Sequence, residues 1–220
     1  MTICIYNCDY DQGIDNTSLA IQKILKDFET EIFEVKDGIF PVSLDKFSGF
    51  IVTGSSVNPL DNPSWMSDLM KILETEKPVI GLCFGHEVIA IMFGGKIGKM
   101  CENNIGYSEV TINKNTDPIF EGLPERFLTF FCHHYKITEL PENSEILAGD
   151  SNLISAFRFR NYLGLQFHPE ISFLMAKNLE KKYNNKFKYP DTSDLGVSKK
   201  MNEKILINFA DMCKSTSQSV

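Results

Sequence analysis

Several features that mark membrane, secreted or nucleic-acid-binding proteins are missing from the sequence. Its 220 residues contain no run of about 18 apolar residues, so we expect no membrane-spanning helix. Residues 1–13 carry no basic residue and no long apolar stretch, so we predict that they are not a signal peptide. Lys and Arg number 22 against 29 Asp and Glu, a formal net charge of −7, which argues against nucleic acid as the main partner.

Cysteine pairs with metal-ligand or redox spacing are missing as well. The six cysteines include no C-x-x-C pair and stand at positions 4, 8, 83, 101, 132 and 213. In a chain of this length, such scattered cysteines favour reduced thiols and a cytoplasmic protein. Neither they nor the four histidines have zinc-finger spacing, so we predict no bound metal. The GGKIGK stretch at residues 94–99 has the wrong spacing for a phosphate-binding loop, and we predict no cofactor.

What the sequence does contain is typical of one α/β domain. Apolar residues make up 43% of the chain and charged residues 23%, as in ordinary globular proteins. Short apolar strands, each followed by a helix or by a loop into one, are predicted at residues 2–7, 49–52 and 79–82. This alternation predicts a doubly wound, mostly parallel sheet flanked by helices. Farther along, strands without long helices between them predict a small antiparallel addition, at residues 96–100, 107–113 and 127–132.

Helices are predicted from apolar periodicity and from capping residues. The first has Asn16 as a cap and Leu19 on its apolar face, and the second begins after Ser64 as its cap. A polar connection at residues 184–198 precedes the last, amphipathic helix. These predicted helices cover residues 18–28, 65–76, 171–184 and 199–213.

Residues 78–95, PVIGLCFGHEVIAIMFGG, contain the first chemical signal. The stretch predicts a strand that ends at Cys83 and a helix that begins near His86. Gly81 and Gly85 stand two residues to either side of Cys83, where the chain reverses sharply and a Cβ atom would clash. A helix N-terminus favours a thiolate, so we expect the pKa of Cys83 to lie below its ordinary value. Taken alone, the pattern is as typical of a buried cysteine between two packing glycines as it is of a catalytic nucleophile.

The second signal is YLGLQFHPE at residues 162–170, which predicts a strand that ends at His168. Residues i and i+2 of a strand point to the same side, so Glu170 can accept a hydrogen bond from the His168 ring and fix its tautomer. The other ring nitrogen then faces the thiol, as in a Cys-His-acid triad. An isolated H-P-E sequence is more typical of a capped strand end, and only together with the Cys83 motif does it indicate catalysis.

These two motifs, in this order, resemble those of the class I glutamine amidotransferase family. That family's elbow usually reads G-x-C-x-G-H-Q and its strand end H-P-E, and here Glu87 stands where Gln is usual. The resemblance covers about residues 1–172 and implies a flavodoxin-like amidotransferase fold. The residues to which it implies a catalytic role are the triad Cys83, His168 and Glu170 and an oxyanion hole formed by Gly54, Ser55 and the backbone N–H of Phe84.

The resemblance also implies where a substrate binds. Residues 130–137, FFCHHYKI, lie where the family has an S-H-x-D motif near the amino-acid end of bound glutamine. His133 matches its histidine, whereas Tyr135 stands where an acid is common. We therefore expect Glu87, His133, His134 and Tyr135 at the substrate site. A strand end at the protein surface is the alternative interpretation of His133 and His134.

The reaction that the resemblance implies is hydrolysis of the γ-amide of glutamine through a γ-glutamyl thioester. The sequence shows no synthetase domain, so delivery of ammonia requires a separate synthetase chain, as for a glutaminase subunit of a GMP synthetase. The alternatives are a stand-alone γ-glutamyl hydrolase or peptidase that acts on γ-glutamyl conjugates, and a non-catalytic regulatory relative, against which the intact triad argues. We expect the amidotransferase-like domain at residues 1–184 and a C-terminal helical extension, packed on the same domain, at residues 185–220.

Overall fold

The computed structural model describes residues 1–10, 16–184, 186–187, 189 and 192–217. Within them the chain forms nine strands and five α-helices. The strands are β1 (Thr2–Asn7), β2 (Glu29–Glu34), β3 (Phe47–Val52), β4 (Val79–Leu82), β5 (Lys96–Thr111), β6 (Arg126–Glu139), β7 (Glu145–Gly149), β8 (Ile154–Phe159) and β9 (Tyr162–Leu165). The α-helices are α1 (Thr17–Ile24), α2 (Met66–Met70), α3 (Phe84–Met92), α4 (Phe173–Tyr183) and α5 (Thr192–Ser217).

Seven of these strands form one sheet, in the order β2-β1-β3-β4-β9-β8-β7. The first five in that order pair in parallel, whereas β8 and β7 continue the sheet as antiparallel strands at one edge. Strands β5 and β6 pair with each other in a separate antiparallel sheet. The predicted fold class, a doubly wound and mostly parallel α/β sheet with a small antiparallel addition, is therefore confirmed. Strand β4 is the middle strand of the large sheet.

Strand β1 shows how helices cover both faces of the large sheet. All six of its residues are buried, and successive side chains point to opposite faces. Ile3 and Ile5 pack in one cluster with residues of α1 and α5, whereas Cys4 and Tyr6 pack in a second cluster with residues of α2 and α3. A strand that is covered on both faces needs apolar residues at nearly every position, which explains the continuous apolar runs in the sequence.

The small sheet is a long hairpin that reaches the carboxyl edge of the large sheet. The sequence predicts two pieces for its first strand, whereas β5 is one strand with a register shift between Lys99 and Asn104. The polar residues at this shift break the apolar alternation, which is why the sequence suggests a gap. Isolated bridges pair Phe130 with His168 and Ile112 with Ala148, and they attach the hairpin to the large sheet.

Helices α1 and α2 are shorter than the sequence predicts. Asn16 does cap α1, because its side chain accepts the N–H of Leu19, but the Leu19 side chain is 53% exposed. Leu19 precedes the buried Ile21 by two positions, and at 3.6 residues per turn these two side chains lie on opposite sides of the helix. The predicted Ser64 cap is wrong, because α2 has no side-chain cap and the carbonyl of Pro63 accepts its first N–H over 2.8 Å.

The last helix, α5, begins earlier than the sequence predicts. Residues 192–198 belong to it and not to the polar connection, of which residues 185, 188, 190 and 191 lie outside the described part of the chain. Ser198 and Asn202 explain the difference, since both are buried and both donate to the carbonyl of Leu128 over 2.8 Å. A helix face that is buried through polar contacts shows no apolar periodicity, so the pattern begins only at residue 199.

The second half of α5 packs against the large sheet. It shares a core cluster with β1 and β3, to which it contributes the fully buried residues Ile205, Leu206, Phe209, Ala210 and Cys213. The opposite side of the helix is exposed and carries charged residues such as Lys200 and Asp211. None of the helices in the described ranges is both long enough and apolar enough to cross a membrane.

Candidate active site

Strand β4 leads directly into helix α3, and Cys83 is the single residue between them. Its backbone has φ 49° and ψ −96°, a conformation that non-glycine residues rarely adopt. A Cβ on Gly81 would lie 2.3 Å from the carbonyl group of Gly85, and a Cβ on Gly85 would lie 2.7 Å from the carbonyl oxygen of Val52. The two glycines therefore permit the sharp turn that places Cys83 at the carboxyl end of the central strand.

The Cys83 side chain is buried beside the small sheet. It is 6% exposed, and its Sγ lies 3.6 Å from the carbonyl oxygen of Cys132. Burial raises the pKa of the Cys83 thiol well above its ordinary value, and the Glu87 carboxylate raises this pKa further. The N–H of Phe84 acts in the opposite direction, because it hydrogen-bonds to the sulfur. The predicted lowering of the pKa is therefore wrong, since loss of hydration outweighs the effect of the helix N-terminus.

His168 and Glu170 follow strand β9, which pairs directly with β4. His168 Nδ1 donates to Glu170 Oε1 over 2.8 Å, and both side chains are buried. The backbone N–H of His168 donates to the carbonyl of Phe130 over 2.8 Å, which fixes the segment to the small sheet. With a proton on Nδ1, Nε2 of a neutral imidazole is an acceptor. This Nε2 is buried and has no hydrogen-bond partner among the described residues.

Gly54 marks the point at which Cys83 and His168 approach each other. A Cβ on Gly54 would lie 2.8 Å from His168 Cε1 and 3.7 Å from Cys83 Cβ. The loop that carries Gly54 is anchored by Thr53, whose hydroxyl accepts the N–H of Cys8 over 2.9 Å and donates to the carbonyl of Gly54 over 3.0 Å. A side chain at position 54 would therefore collide with the His168 ring in its present position.

A cavity of about 400 Å³ opens beside these residues, at the carboxyl edge of the parallel strands. Ligands of open α/β sheets bind at this edge, and the volume suits a small molecule. Of the predicted site residues, Phe84 and Glu170 lie outside the cavity wall, because the Phe84 ring packs on Trp65 and Glu170 lies against the His168 ring. Along the described chain, no group of His, Cys, Asp and Glu side chains is arranged to hold a metal ion. The predicted residues that do line the cavity are Gly54, Ser55, Cys83, Glu87, His133, His134, Tyr135 and His168.

His133 is held in a single tautomer within the cavity wall. Its Nδ1 donates to the carbonyl of Tyr135 over 2.6 Å, so its Nε2, which lies 3.2 Å from Asn104 Nδ2, acts as the acceptor. Burial lowers the pKa of His133 to about 4, and the ring is neutral at physiological pH. The Tyr135 hydroxyl accepts from Asn58 Nδ2 over 3.1 Å, and His134 lines the cavity while remaining exposed.

The sequence also matches a known protein family over most of its length. A family model described as glutamine amidotransferase class-I matches residues 10–183. The chain belongs to the class I glutamine amidotransferase family.

Solved structures of this amidotransferase family have the same fold. A glutamine amidotransferase from Thermotoga maritima superposes with a TM-score of 0.75 at 16% identity, over 97% of each chain. Another from Methylobacillus flagellatus superposes with a TM-score of 0.74 at 14% identity, over 96% of this chain and 94% of that one.

Two curated relatives of this amidotransferase-family chain represent two kinds of enzyme. Gamma-glutamyl peptidase 5 of Arabidopsis thaliana is 29% identical over 204 residues, which cover 86% of this chain and 74% of the relative. A GMP synthase (glutamine-hydrolyzing) of Caldicellulosiruptor saccharolyticus is 36% identical over 126 residues, which cover 56% of this chain and 24% of that relative. The similarity to the peptidase covers more residues, whereas the similarity to the GMP synthase has the higher identity. Sequence identity alone therefore does not show which of the two relatives this chain resembles more in function.

Sequence reasoning missed Gln166, although it lies inside the YLGLQFHPE motif of this amidotransferase-family chain. Gln166 is fully buried, and its Nε2 lies 3.4 Å from Glu87 Oε1 and 3.9 Å from Cys83 Sγ. The signal was available, because Gln166 precedes His168 by two positions and strand alternation places both on one side. Burial raises the pKa of Glu87 to about 7, although the hydrogen bond from Gln166 opposes the shift. The site therefore holds a second carboxyl group close to the cysteine.

Proposed function

We propose that the chain hydrolyses γ-glutamyl amides through a Cys83–His168–Glu170 triad and a γ-glutamyl thioester. The observation that carries this proposal is the state of His168. Its Nδ1 donates to a buried carboxylate, and its Nε2 has no partner among the described residues beside a cavity that Cys83 also lines. An imidazole in that state is ready to accept the thiol proton. Membership of the class I glutamine amidotransferase family supports the substrate class.

In the proposed reaction, Cys83 gives its proton to His168 Nε2 and the sulfur attacks the γ-carbonyl carbon of the substrate. Burial favours the thiol form of Cys83, so proton transfer accompanies the attack. Glu170 stabilises the imidazolium that forms. The imidazolium then protonates the leaving nitrogen, which departs as ammonia or as an amine and leaves the thioester. Finally, His168 takes a proton from water, whose oxygen attacks the thioester carbonyl, and the C–S bond breaks to release glutamate. The proton then passes from His168 to the Cys83 sulfur, which restores the thiol and the neutral imidazole.

We assign the oxyanion hole to backbone N–H groups of Gly54 or Ser55 and of Phe84. Two observations support this assignment: Gly54 lies where Cys83 and His168 converge, and the Phe84 N–H already hydrogen-bonds to the Cys83 sulfur. Donors in these positions would meet the oxygen on which negative charge develops. Loss of one such donor typically raises the barrier by about 3 kcal/mol.

We assign Glu87, His133, His134 and Tyr135 to substrate binding, because all four line the cavity. Glu87 offers a negative charge for the α-ammonium group of a γ-glutamyl substrate. His133 is neutral and fixed in orientation, so it serves as a polar wall and not as a cation. The Tyr135 hydroxyl, oriented by Asn58, and the exposed His134 are placed to contact the outer part of the substrate.

Glutamine, with delivery of its ammonia to a separate synthetase chain, is the first candidate substrate. The similarity to GMP synthases described as glutamine-hydrolyzing supports it. The second candidate is a γ-glutamyl conjugate, cleaved by the chain acting alone as a γ-glutamyl hydrolase or peptidase. Two observations favour this second function: the cavity of about 400 Å³ leaves room for a group beyond the amide, and the similarity to a γ-glutamyl peptidase spans 86% of the chain.

The test is hydrolysis by the purified chain, with release of glutamate and ammonia or amine measured for glutamine and for γ-glutamyl dipeptides. We expect turnover of at least one substrate, and we expect Cys83→Ala to abolish it together with thioester formation. Cys101→Ser is the matched control, because Cys101 is an exposed free thiol, and it should retain full activity. Turnover by the Cys83→Ala variant would refute the triad. Slow turnover of glutamine with fast turnover of the dipeptides would select the stand-alone hydrolase.

A further inference from the structure

Glu87, Gln166 and Cys83 form a buried chain of contacts beside the cavity. Cys83 immediately precedes α3 and Glu87 lies in its first turn, four positions apart, so their side chains share one face of the helix. Gln166 lies between them, with its amide nitrogen 3.4 Å from Glu87 Oε1 and 3.9 Å from Cys83 Sγ. Glu87 is 4% exposed and Gln166 is fully buried, so bulk water screens little of the interaction between carboxylate and sulfur.

Within the described wall, Glu87 has no Lys or Arg beside it, and the charge of a protonated His168 lowers the pKa of Glu87 by less than burial raises it. Among the described residues that line the cavity there is no Lys or Arg, and the carboxyl groups are those of Asp9 and Glu87. His168 already donates to Glu170, and burial holds His133 neutral by lowering its pKa to about 4. The other titratable groups that surround the pair of Glu87 and Cys83 are Cys132 and His133 from β6 and His168 and Glu170 from the segment after β9.

The charge of Glu87 acts directly on the nucleophile. Together with burial, it raises the pKa of Cys83, while burial raises the pKa of Glu87 itself to about 7. Above neutral pH the carboxylate is therefore mostly ionised, and a thiolate beside it would add a second negative charge to the same buried pocket. Gln166 can donate to either anion, but as a neutral amide it cancels the charge of neither.

We propose that Glu87, held in place by Gln166, keeps Cys83 as a thiol until the ammonium group of a substrate enters the cavity and compensates the carboxylate. This inference rests on the proposed function and names the substrate class more closely: γ-glutamyl amides with a free α-ammonium group. Once the ammonium lies beside Glu87, the thiol proton passes to His168 and the attack follows. The nucleophile therefore forms only in the presence of a substrate that carries the correct charge.

The first test measures how readily Cys83 forms a thiolate in the absence of substrate. It uses iodoacetamide, a neutral reagent that alkylates the thiolate and releases iodide. Alkylation of the Cys83 peptide is followed by mass spectrometry from pH 6 to 9 in the wild type, in Glu87→Gln and in the control Glu74→Gln. Glu74 is an exposed acid on another element. A like charge at this range shifts a pKa by about one unit or more, so we expect Glu87→Gln to be alkylated about tenfold faster at pH 7.5. The control should match the wild type, and an unchanged rate in Glu87→Gln overturns the proposal.

The second test compares two γ-glutamyl anilides, one with a free and one with an acetylated α-amino group. We expect the wild type to prefer the free amine by at least about tenfold in kcat/KM. In Glu87→Gln this preference should shrink because the rate with the acetylated substrate rises. A role of Glu87 in binding alone predicts otherwise: the rate with the free amine falls and that with the acetylated substrate stays the same. That result, or an unchanged preference, overturns the inference but leaves the triad intact. Hydrolysis that persists in Cys83→Ala refutes the proposed function itself.

Discussion

Gly54 lies beside two side chains of the proposed triad, and its packing limits which residue can stand there. A Cβ on this residue would lie 2.8 Å from His168 Cε1, so a methyl group fits here only if the ring moves. The ring is the side chain that can move, since His168 lines the cavity. A methyl group at residue 54 should therefore turn the imidazole away from its present position and disturb its hydrogen bond to Glu170.

We expect Gly54→Ala to lower kcat/KM by about 100-fold or more, because a displacement of about 1 Å in a catalytic group has effects of that size. The free energy of unfolding should fall by about 1–3 kcal/mol, since the displaced ring loses its buried hydrogen bond to Glu170. Gly98→Ala is a matched control: its Cβ would lie 2.9 Å from the Thr138 methyl group, outside the cavity wall. Equal losses of activity in both variants would contradict this account of Gly54.

At this scale, the sequence predicts where residues lie better than which charge they carry. Local backbone rules explain the glycines around Cys83 and the two-residue step from His168 to Glu170. The structure places Cys83, His168 and Glu170 at one edge of the sheet. The direction of the Cys83 pKa shift depends on burial by residues far away in sequence, such as Cys132 on β6. No local pattern contains that information, and the prediction of a lowered pKa fails for this reason.

Helix α5 shows that contacts between residues distant in sequence also limit the prediction of whole helices and strands. Its second half has a regular apolar face and is predicted, whereas its first half docks through Ser198 and Asn202 on a carbonyl of β6. A polar contact of this kind leaves no periodic signal, because its partner is distant in sequence. The parallel strands, in contrast, are continuous apolar runs whose burial on both faces is evident from the sequence alone.

The apolar half of α5 should contribute strongly to stability. Phe209 is fully buried in the cluster that α5 shares with the sheet, whereas Ile207, on the same helix, is 37% exposed. We expect Phe209→Ala to lower the free energy of unfolding by about 3–5 kcal/mol. Ile207→Ala should change it by less than about 1 kcal/mol. Urea denaturation of both variants at one pH tests this, and a loss below 1 kcal/mol for Phe209→Ala would show that α5 does not fold together with the sheet.

At the scale of the molecule, two buried histidines and one buried glutamate among the described residues have shifted pKa values that affect the response to acid. Burial lowers the pKa of His86 from 6.5 to about 3 and that of His133 to about 4. Burial raises the pKa of Glu87 from 4.5 to about 7. Near pH 5.5 the unfolded chain therefore binds about two more protons at the histidines, and the folded chain binds about one more at Glu87. The balance is about one proton in favour of the unfolded state.

Stability should accordingly fall as the pH drops below 6.5, because unfolding then takes up protons. One proton corresponds to a slope of about 1.4 kcal/mol per pH unit. Urea denaturation at intervals from pH 7 to pH 5 gives this slope for the wild type. In His133→Asn the slope should flatten towards zero, because one of the two protons is removed. A steeper slope in the variant, or stability that rises towards pH 5, would contradict the balance.

The direct pairing of β4 with β9 has a consequence for how such a protein can diversify. The chain leaves the sheet after Cys83 through helix α3 and returns at β9, one strand away, just before His168. The excursion from β5 to β8 forms the hairpin and the antiparallel edge. We expect insertions and deletions in that excursion to reshape the cavity wall and to leave the pairing of β4 with β9 in place. The cavity wall and the paired strands that carry Cys83 and His168 can thus change independently. A chimaera that exchanges the excursion with that of a relative should keep its chemistry, provided that it preserves the carbonyl of Phe130, which holds the backbone of His168.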